Sequence, residues 1–149
     1  MRSTHCKYHF SYILLIGLVI LGCDKVEPLQ ISNDVFSLEL WSDWKYQQGQ
    51  GYDSYVGIFT NGHEEIKFDV GDYAFSSVAQ IQQTTETLYF EETIIDNRPA
   101  KIVKEPNANG TILILYIDND LNSLRTKVYI FNPGDDQKYI DVFKSFKFL

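Results

Sequence analysis

Two strand-like runs joined by a short turn are the clearest structural signal in this sequence. Residues 55–60 and 63–70 flank Asn61-Gly62, a dipeptide that favours the positive φ angles of a type I′ turn. If Thr60 lies opposite His63, the two-residue alternation places Phe59 and Phe68 on the same face of the pair. The sequence therefore predicts an antiparallel hairpin whose aromatic face lies in the core.

Other segments also have the patterns of strands. Phe36, Leu38 and Leu40 alternate with Ser37, Glu39 and Trp41, which is the period of a half-buried strand. The run over residues 111–117 is almost continuously apolar, as expected of a central strand, and residues 126–131 are its predicted partner. Two further strands are predicted at residues 87–95 and 100–104, with a turn between them.

Two helices are also expected. Tyr139, Val142, Phe143 and Phe146 recur at the spacing i, i+3, i+4, i+7, which predicts an amphipathic helix of about ten residues. A final edge strand is predicted at residues 145–148. Ser76-Ser77 resembles a helix N-cap, so a short middle helix is predicted to follow it.

The first 22 residues have the composition of a signal peptide. Two basic residues and no acidic residue precede an apolar run at residues 10–21, which is too short for a membrane-spanning helix of about 20 residues. The run ends in Ile20-Leu21-Gly22-Cys23, which resembles a bacterial lipobox, with a small residue before the cut and a thiol that carries diacylglycerol. We expect cleavage between Gly22 and Cys23 and lipidation of Cys23; the alternative is an uncleaved N-terminal anchor.

Cleavage there would divide the chain into a signal peptide at residues 1–22, a lipidated polar tether at residues 23–34 and one domain at residues 35–149. The mature chain would keep 11 of the 13 basic residues against 20 acidic ones, a net charge of −9. That charge disfavours nucleic acid as a partner, because it repels phosphates. Cys23 would be its one cysteine, which excludes an intrachain disulfide. The expected location is the bacterial cell envelope, where the lipid anchors the protein to either the inner or the outer membrane.

Three short motifs carry a resemblance to a known family. They are Trp44 after the first strand, Ile95-Asp96-Asn97-Arg98-Pro99-Ala100, and the closing Phe143-Lys144-Ser145-Phe146. With the order of elements, they resemble the PsbP-like domains of small bacterial lipoproteins, although Asn97 stands where that family usually has glycine. The resemblance implies an α+β fold, an antiparallel sheet covered by the C-terminal helix and the short middle helix. It also implies an accessory or binding role, and it transfers no catalytic residues.

Aromatic side chains are the main candidates for a binding surface. Trp41, Trp44 and Tyr46 lie close together in the sequence, and Trp41 falls on the polar side of the first strand. Exposed aromatics of this kind bind sugar rings or protein partners. The alternative is that these residues fill the core of a β-rich domain.

The chain offers little for catalysis or metal binding. Asp118, Asp120 and Asn122 begin like a calcium loop, but the positions for the essential glycine and glutamate hold Ser123 and Tyr129. An acidic hairpin loop is the alternative. The sequence implies no cofactor.

The sequence as a whole predicts a non-catalytic binding or accessory lipoprotein, whose partner is an unknown envelope protein or small ligand. A small carboxylate-dependent envelope hydrolase and a calcium-responsive binding module remain as alternatives.

Overall fold

The computed structural model of this protein describes residues 28–72, 74–119 and 124–149. These residues form ten strands and one α-helix. The strands are β1 (Leu29–Ser32), β2 (Phe36–Leu40), β3 (Lys45–Gln48), β4 (Tyr55–Thr60), β5 (Glu65–Gly71), β6 (Tyr89–Ile95), β7 (Arg98–Asn107), β8 (Gly110–Asn119), β9 (Leu124–Phe131) and β10 (Lys147–Phe148), and the helix is α1 (Asp136–Lys144). No helix among the described residues has the length and apolar character needed to cross a membrane.

The strands form two antiparallel sheets. The large sheet has the order β3-β4-β5-β9-β8-β7-β6, and the small sheet has the order β1-β2-β10. Hairpins connect most neighbours in the large sheet, but β5 leads to β6 at the far edge. The connecting segment, residues 72–88, therefore crosses from one part of the sheet to the other.

The hairpin predicted around Asn61-Gly62 is present, with a different turn. Thr60 pairs with Glu65, so four residues form the loop, and only Gly62 within it has a positive φ, at 87°. The side chain of Asn61 accepts hydrogen bonds from the backbone N–H groups of His63 and Glu64, at 3.0 and 2.8 Å. The register is shifted by two residues from the expected one, which preserves the faces of both strands. The predicted aromatic core face is confirmed for this reason.

A two-residue type I′ turn occurs instead between β6 and β7. Asp96 and Asn97 have φ angles of 48° and 62°, and Ile95 pairs with Arg98 across the turn. Both residue types tolerate the left-handed region because their short polar side chains bond locally. Asn97 thus takes a conformation for which glycine is the usual residue.

One face of the large sheet carries the core. Phe59 pairs with Ile66, Ile66 with Ile130, and Ile130 with Leu113, which makes a row of buried side chains across four strands. The small sheet and helix α1 pack together over this core face. Phe36 of β2 brings its ring within 5.1 Å of the ring of Phe68 on β5, measured between centroids.

The α+β class expected from the sequence is wrong. Strands account for 53% of the described residues and helical residues for 10%, arranged as two sheets with one α-helix. The predicted middle helix is a single 3-10 turn, Val78–Gln80, and Ser77 makes no side-chain capping bond to it. The turn is fixed instead by tertiary contacts, because Val78 is buried and the Ile81 carbonyl accepts a 2.7 Å hydrogen bond from the Lys101 Nζ. Such contacts override local helix signals.

The segment expected to be a tether contributes a strand to the small sheet. Leu29–Ser32 pairs with β2 in antiparallel register, with Leu29 opposite Leu40. The first strand therefore begins only six residues after Cys23. The polar composition of this segment hides the strand, since β1 lies at the edge of its sheet and exposes most of its side chains.

The other side of the large sheet is its outer face, partly covered by residues 72–88. The ring of Phe75 contacts that of Tyr116 edge to face at 5.1 Å, and Arg125 donates to the carbonyl oxygens of Asp72 and Phe75. Burial raises the pKa of Tyr116 to about 12, with a smaller contribution from Glu105. This crossing segment therefore packs closely over the centre of the outer face.

Candidate functional site

The three aromatic residues predicted to form a binding patch have different surroundings. Trp44 is buried, and its ring contacts that of Tyr139 in α1 at 6.4 Å. Tyr46 is half-buried, stacks on Phe68 at 6.1 Å, and shares a 2.5 Å hydrogen bond with the hydroxyl of Tyr55. Burial and that hydrogen bond raise the pKa of Tyr46 well above its ordinary value. Trp44 and Tyr46 therefore serve mainly the core.

Trp41 alone of the three borders an open surface. It is half-buried at the turn after β2, where its carbonyl accepts a 3.0 Å hydrogen bond from the N–H of Trp44. It lines a shallow depression of about 290 Å³, which we call the Trp41 groove. The other lining residues are Pro28, Glu39, Lys138, Asp141, Val142 and Ser145.

Lys138 forms the polar wall of the Trp41 groove. Its Nζ lies 4.4 Å from the centroid of the Trp41 ring and 3.1 Å from Oε2 of Glu64 in the loop between β4 and β5 of the large sheet. Burial alone would raise the pKa of Glu64, but hydrogen bonds from Tyr139 and Lys138 outweigh it and hold that pKa below 4.5. Lys138 therefore joins Trp41, the helix and the large sheet through one ammonium group.

The floor and rim of the Trp41 groove differ in polarity. The hydroxyl of Ser145 accepts from the N–H of Glu39 at 2.8 Å and donates to the Val142 carbonyl at 2.6 Å, so the floor is hydrogen-bonded within the protein. The rim carries the carboxylates of Glu39 and Asp141, and Asp141 accepts a 2.8 Å hydrogen bond from the side chain of Gln137. The groove is thus an aromatic surface with a mainly acidic rim.

A larger depression lies on the outer face beside the edge strand β6. It has a volume of about 440 Å³, and we call it the Ile94 cleft. Its apolar wall includes Ile94, which is 68% exposed, while Glu92, Lys101 and Asp118 supply charge. The remaining lining residues are Val78, Ala79, Thr93, Pro99 and Ala100.

Lys101 is the most deeply buried charge of the Ile94 cleft. It is 9% exposed, and its Nζ donates to the Ile81 carbonyl at 2.7 Å and pairs with Oε1 of Glu92 at 2.8 Å. A buried ammonium is stable only when such partners replace its water. Lys101 therefore fixes the cleft wall and neutralises the nearest carboxylate.

The weak calcium candidates are only partly within the described residues. The Oδ2 atom of Asp118 accepts a 3.3 Å hydrogen bond from the N–H of Val78, and its Oδ1 is buried with no protein partner in the part of the chain that the structure describes. Asp120 and Asn122 lie outside that part. Within residues 28–72, 74–119 and 124–149, no three His, Cys, Asp or Glu residues form a group able to hold a metal ion. The calcium hypothesis stays a prediction.

A second acidic residue with a perturbed pKa also anchors the helix. Glu91 on β6 lies 2.8 Å from Nζ of Lys144 and accepts a hydrogen bond from Tyr89. These two partners lower the pKa of Glu91 against the opposing effect of burial. Glu91 and Glu64 therefore both act as ionised partners of lysines on α1.

Apart from Asp118, which was a calcium candidate, the residues that line the Trp41 groove around Trp41 and those that line the Ile94 cleft were not found by sequence reasoning. Lys138 and Asp141 of helix α1 and Ser145 at its C-cap are spaced by three and four residues, which is a signal available in the sequence that they share one side. Ile94 had no such signal, because its exposure depends on β6 being the edge strand. The lipobox residues Gly22 and Cys23 lie outside the described residues.

Comparisons with known proteins do not assign this chain to a family. No family model matches the sequence, and no curated protein matches it. The resemblance to PsbP-like domains therefore stays a hypothesis carried by three short motifs.

Proposed function

We propose that this protein is a lipid-anchored bacterial cell-envelope lipoprotein with a non-catalytic binding or accessory role. The lipobox around Gly22 and Cys23 supports the anchor, because it combines a small residue, a thiol and a short apolar run after a basic start. Two or more acyl chains would hold the domain stably at a membrane, at about 0.8 kcal/mol for each buried methylene.

The Ile94 cleft is the observation that carries the binding role. It combines exposed apolar side chains with a few placed polar groups, which is the usual composition of a ligand site. It lies on the outer face, whereas helix α1 and the small sheet pack on the core face. A ligand or protein partner at the cleft would therefore bind the outer face of the large sheet, whereas the tether joins the domain at the small sheet, on the core face.

The carboxylates inside and outside the cleft favour binding over catalysis. A carboxyl group that acts as a general acid near neutral pH needs a raised pKa. Glu64 and Glu91 both have lowered pKa values, and Glu92 is paired with Lys101. The hydrolase alternative rests on Glu92 and Asp118 lining one cleft. Envelope-ester or glycoside hydrolysis that is lost in Glu92→Gln would favour that alternative.

Replacing Cys23 tests the anchor. In a bacterial host, Cys23→Ser is expected to move the protein from the membrane fraction to the soluble fraction, or to block its processing. Cys6→Ser is the matched control, because that cysteine lies inside the removed leader and its loss leaves lipidation intact. Normal cleavage of Cys23→Ser with unchanged membrane retention contradicts lipidation.

Replacing Ile94 tests the cleft. Ile94→Asp places a charge on its apolar wall and is expected to abolish capture of a partner or ligand from envelope extract. Leu88→Asp is the matched control, since Leu88 is comparably exposed near β6 but does not line the cleft. Equal capture by the two variants contradicts a binding role for the cleft.

A further inference from the structure

We infer that the Trp41 groove rests on the membrane itself, against the headgroup layer of zwitterionic, amine-bearing phospholipids. This inference rests on the proposed lipid anchor at Cys23. It adds to that proposal a second contact between protein and bilayer, with a defined surface and a defined lipid class.

The length of chain before the domain gives the first argument. Pro28 lines the groove, and five residue steps separate it from Cys23. At about 3.6 Å per extended residue, Pro28 lies at most about 18 Å from a lipidated Cys23. The groove is therefore confined to a layer near the headgroups, whatever direction the rest of the domain takes.

Effective concentration gives the second argument. A surface held within about 18 Å of a bilayer meets lipid at a very high local concentration, so that even a weak contact is occupied. A shallow groove of about 290 Å³ suffices for such a contact. The same groove would bind free lipid too weakly to detect without the anchor.

The residues around the groove match a headgroup layer. Trp41 presents an amphipathic indole, the side chain enriched where membranes meet water. Pro28 lines the groove together with Trp41, so apolar surface lies at the point where the tether enters the domain.

The charge of the groove selects the lipid class. Glu39 and Asp141 line its rim, while the one lysine of the groove is 3.1 Å from Glu64. An acidic rim on a mature chain of net charge −9 is repelled by anionic lipid and attracted by the ammonium of phosphatidylethanolamine.

Tryptophan quenching by brominated lipid provides the test. The protein has two tryptophans, and the buried Trp44 is expected to give little quenching. The lipidated full-length mature protein is reconstituted in vesicles of phosphatidylethanolamine and phosphatidylcholine, brominated near the headgroups. We expect at least a twofold loss of the Trp41 emission, taken as the difference between wild type and Trp41→Phe. Vesicles with phosphatidylglycerol in place of phosphatidylethanolamine should quench less.

Flotation of the same vesicles separates the two proposals. Protein that fails to float refutes the lipid anchor and the membrane contact together. Protein that floats while Trp41 stays unquenched refutes the membrane contact alone. Equal quenching in phosphatidylglycerol refutes the amine-bearing headgroup. Protection of Trp41 from acrylamide in native envelope membranes, without quenching in pure lipid vesicles, would assign the groove to a protein and overturn the inference.

Discussion

Replacing Phe36 tests whether the small sheet is part of one cooperative core. Its fully buried ring lies 5.8, 5.1 and 4.7 Å from the rings of Phe59, Phe68 and Phe146, measured between centroids. A buried Phe→Ala change costs about 3–5 kcal/mol, and loss of three aromatic contacts favours the upper half of that range. We therefore expect Phe36→Ala to lower the free energy of unfolding by about 4 kcal/mol.

Urea denaturation of the mature chain carrying Cys23→Ser measures this loss through Trp44 fluorescence. With a slope of about 1.5 kcal/mol/M, the midpoint should fall by about 2.7 M. Phe131→Ala is the control, because Phe131 is 42% exposed on the outer face and its loss should cost about 1 kcal/mol. If Phe36→Ala does not fold, Phe36→Leu should still lose about 1–2 kcal/mol. A loss below about 1.5 kcal/mol in a folded Phe36→Ala refutes the cooperative core.

Three other outcomes are expected. Glu64 and Glu91 have lowered pKa values in the folded state, so the stability they contribute is present above about pH 4.5 and is lost as the pH falls through those values. Each of the partly exposed pairs Lys138–Glu64 and Lys144–Glu91 contributes up to about 1 kcal/mol. When both glutamates are replaced by Gln, the free energy of unfolding should therefore fall less between pH 7 and pH 3.5 than it does in the wild type. Gly110→Ala should cost about 2 kcal/mol or more by denaturation, because φ is 135° and a Cβ would collide with Oδ1 of Asn132; Gly134→Ala, with open space, should be near neutral. If the calcium hypothesis holds, calcium at 100 times its Kd adds about 2.7 kcal/mol, and a melting temperature that rises equally in Asp118→Ala would contradict it.

Local patterns predicted several elements because their causes are local. The alternation around Phe36 and the run over residues 111–117 appear as strands β2 and β8. Helix α1 begins where Asp135 accepts a hydrogen bond from the N–H of Lys138, and its apolar spacing buries Tyr139 and Phe143. In each case the residue types alone favour one backbone conformation or one face.

The errors arose where contacts distant in the sequence decide the conformation. The segment after Ser77 becomes a 3-10 turn because it packs on the outer face, where Lys101 holds it. Strand β1 forms because β2 offers an unpaired edge, although its own polar sequence resembles a tether. Neither partner could be identified from neighbouring residues.

The sequence by itself determined which residues alternate, where the hairpin turns lie and where the helix begins, since these depend on side chains within a few positions. It also carried the whole argument for lipidation at Cys23, which stays a proposal. The tertiary structure decided that Trp44 enters the core and Trp41 lines a groove, and that Ile94 stands exposed at a cleft. Burial depends on which strands and helices pack together, and that packing joins residues far apart in the chain.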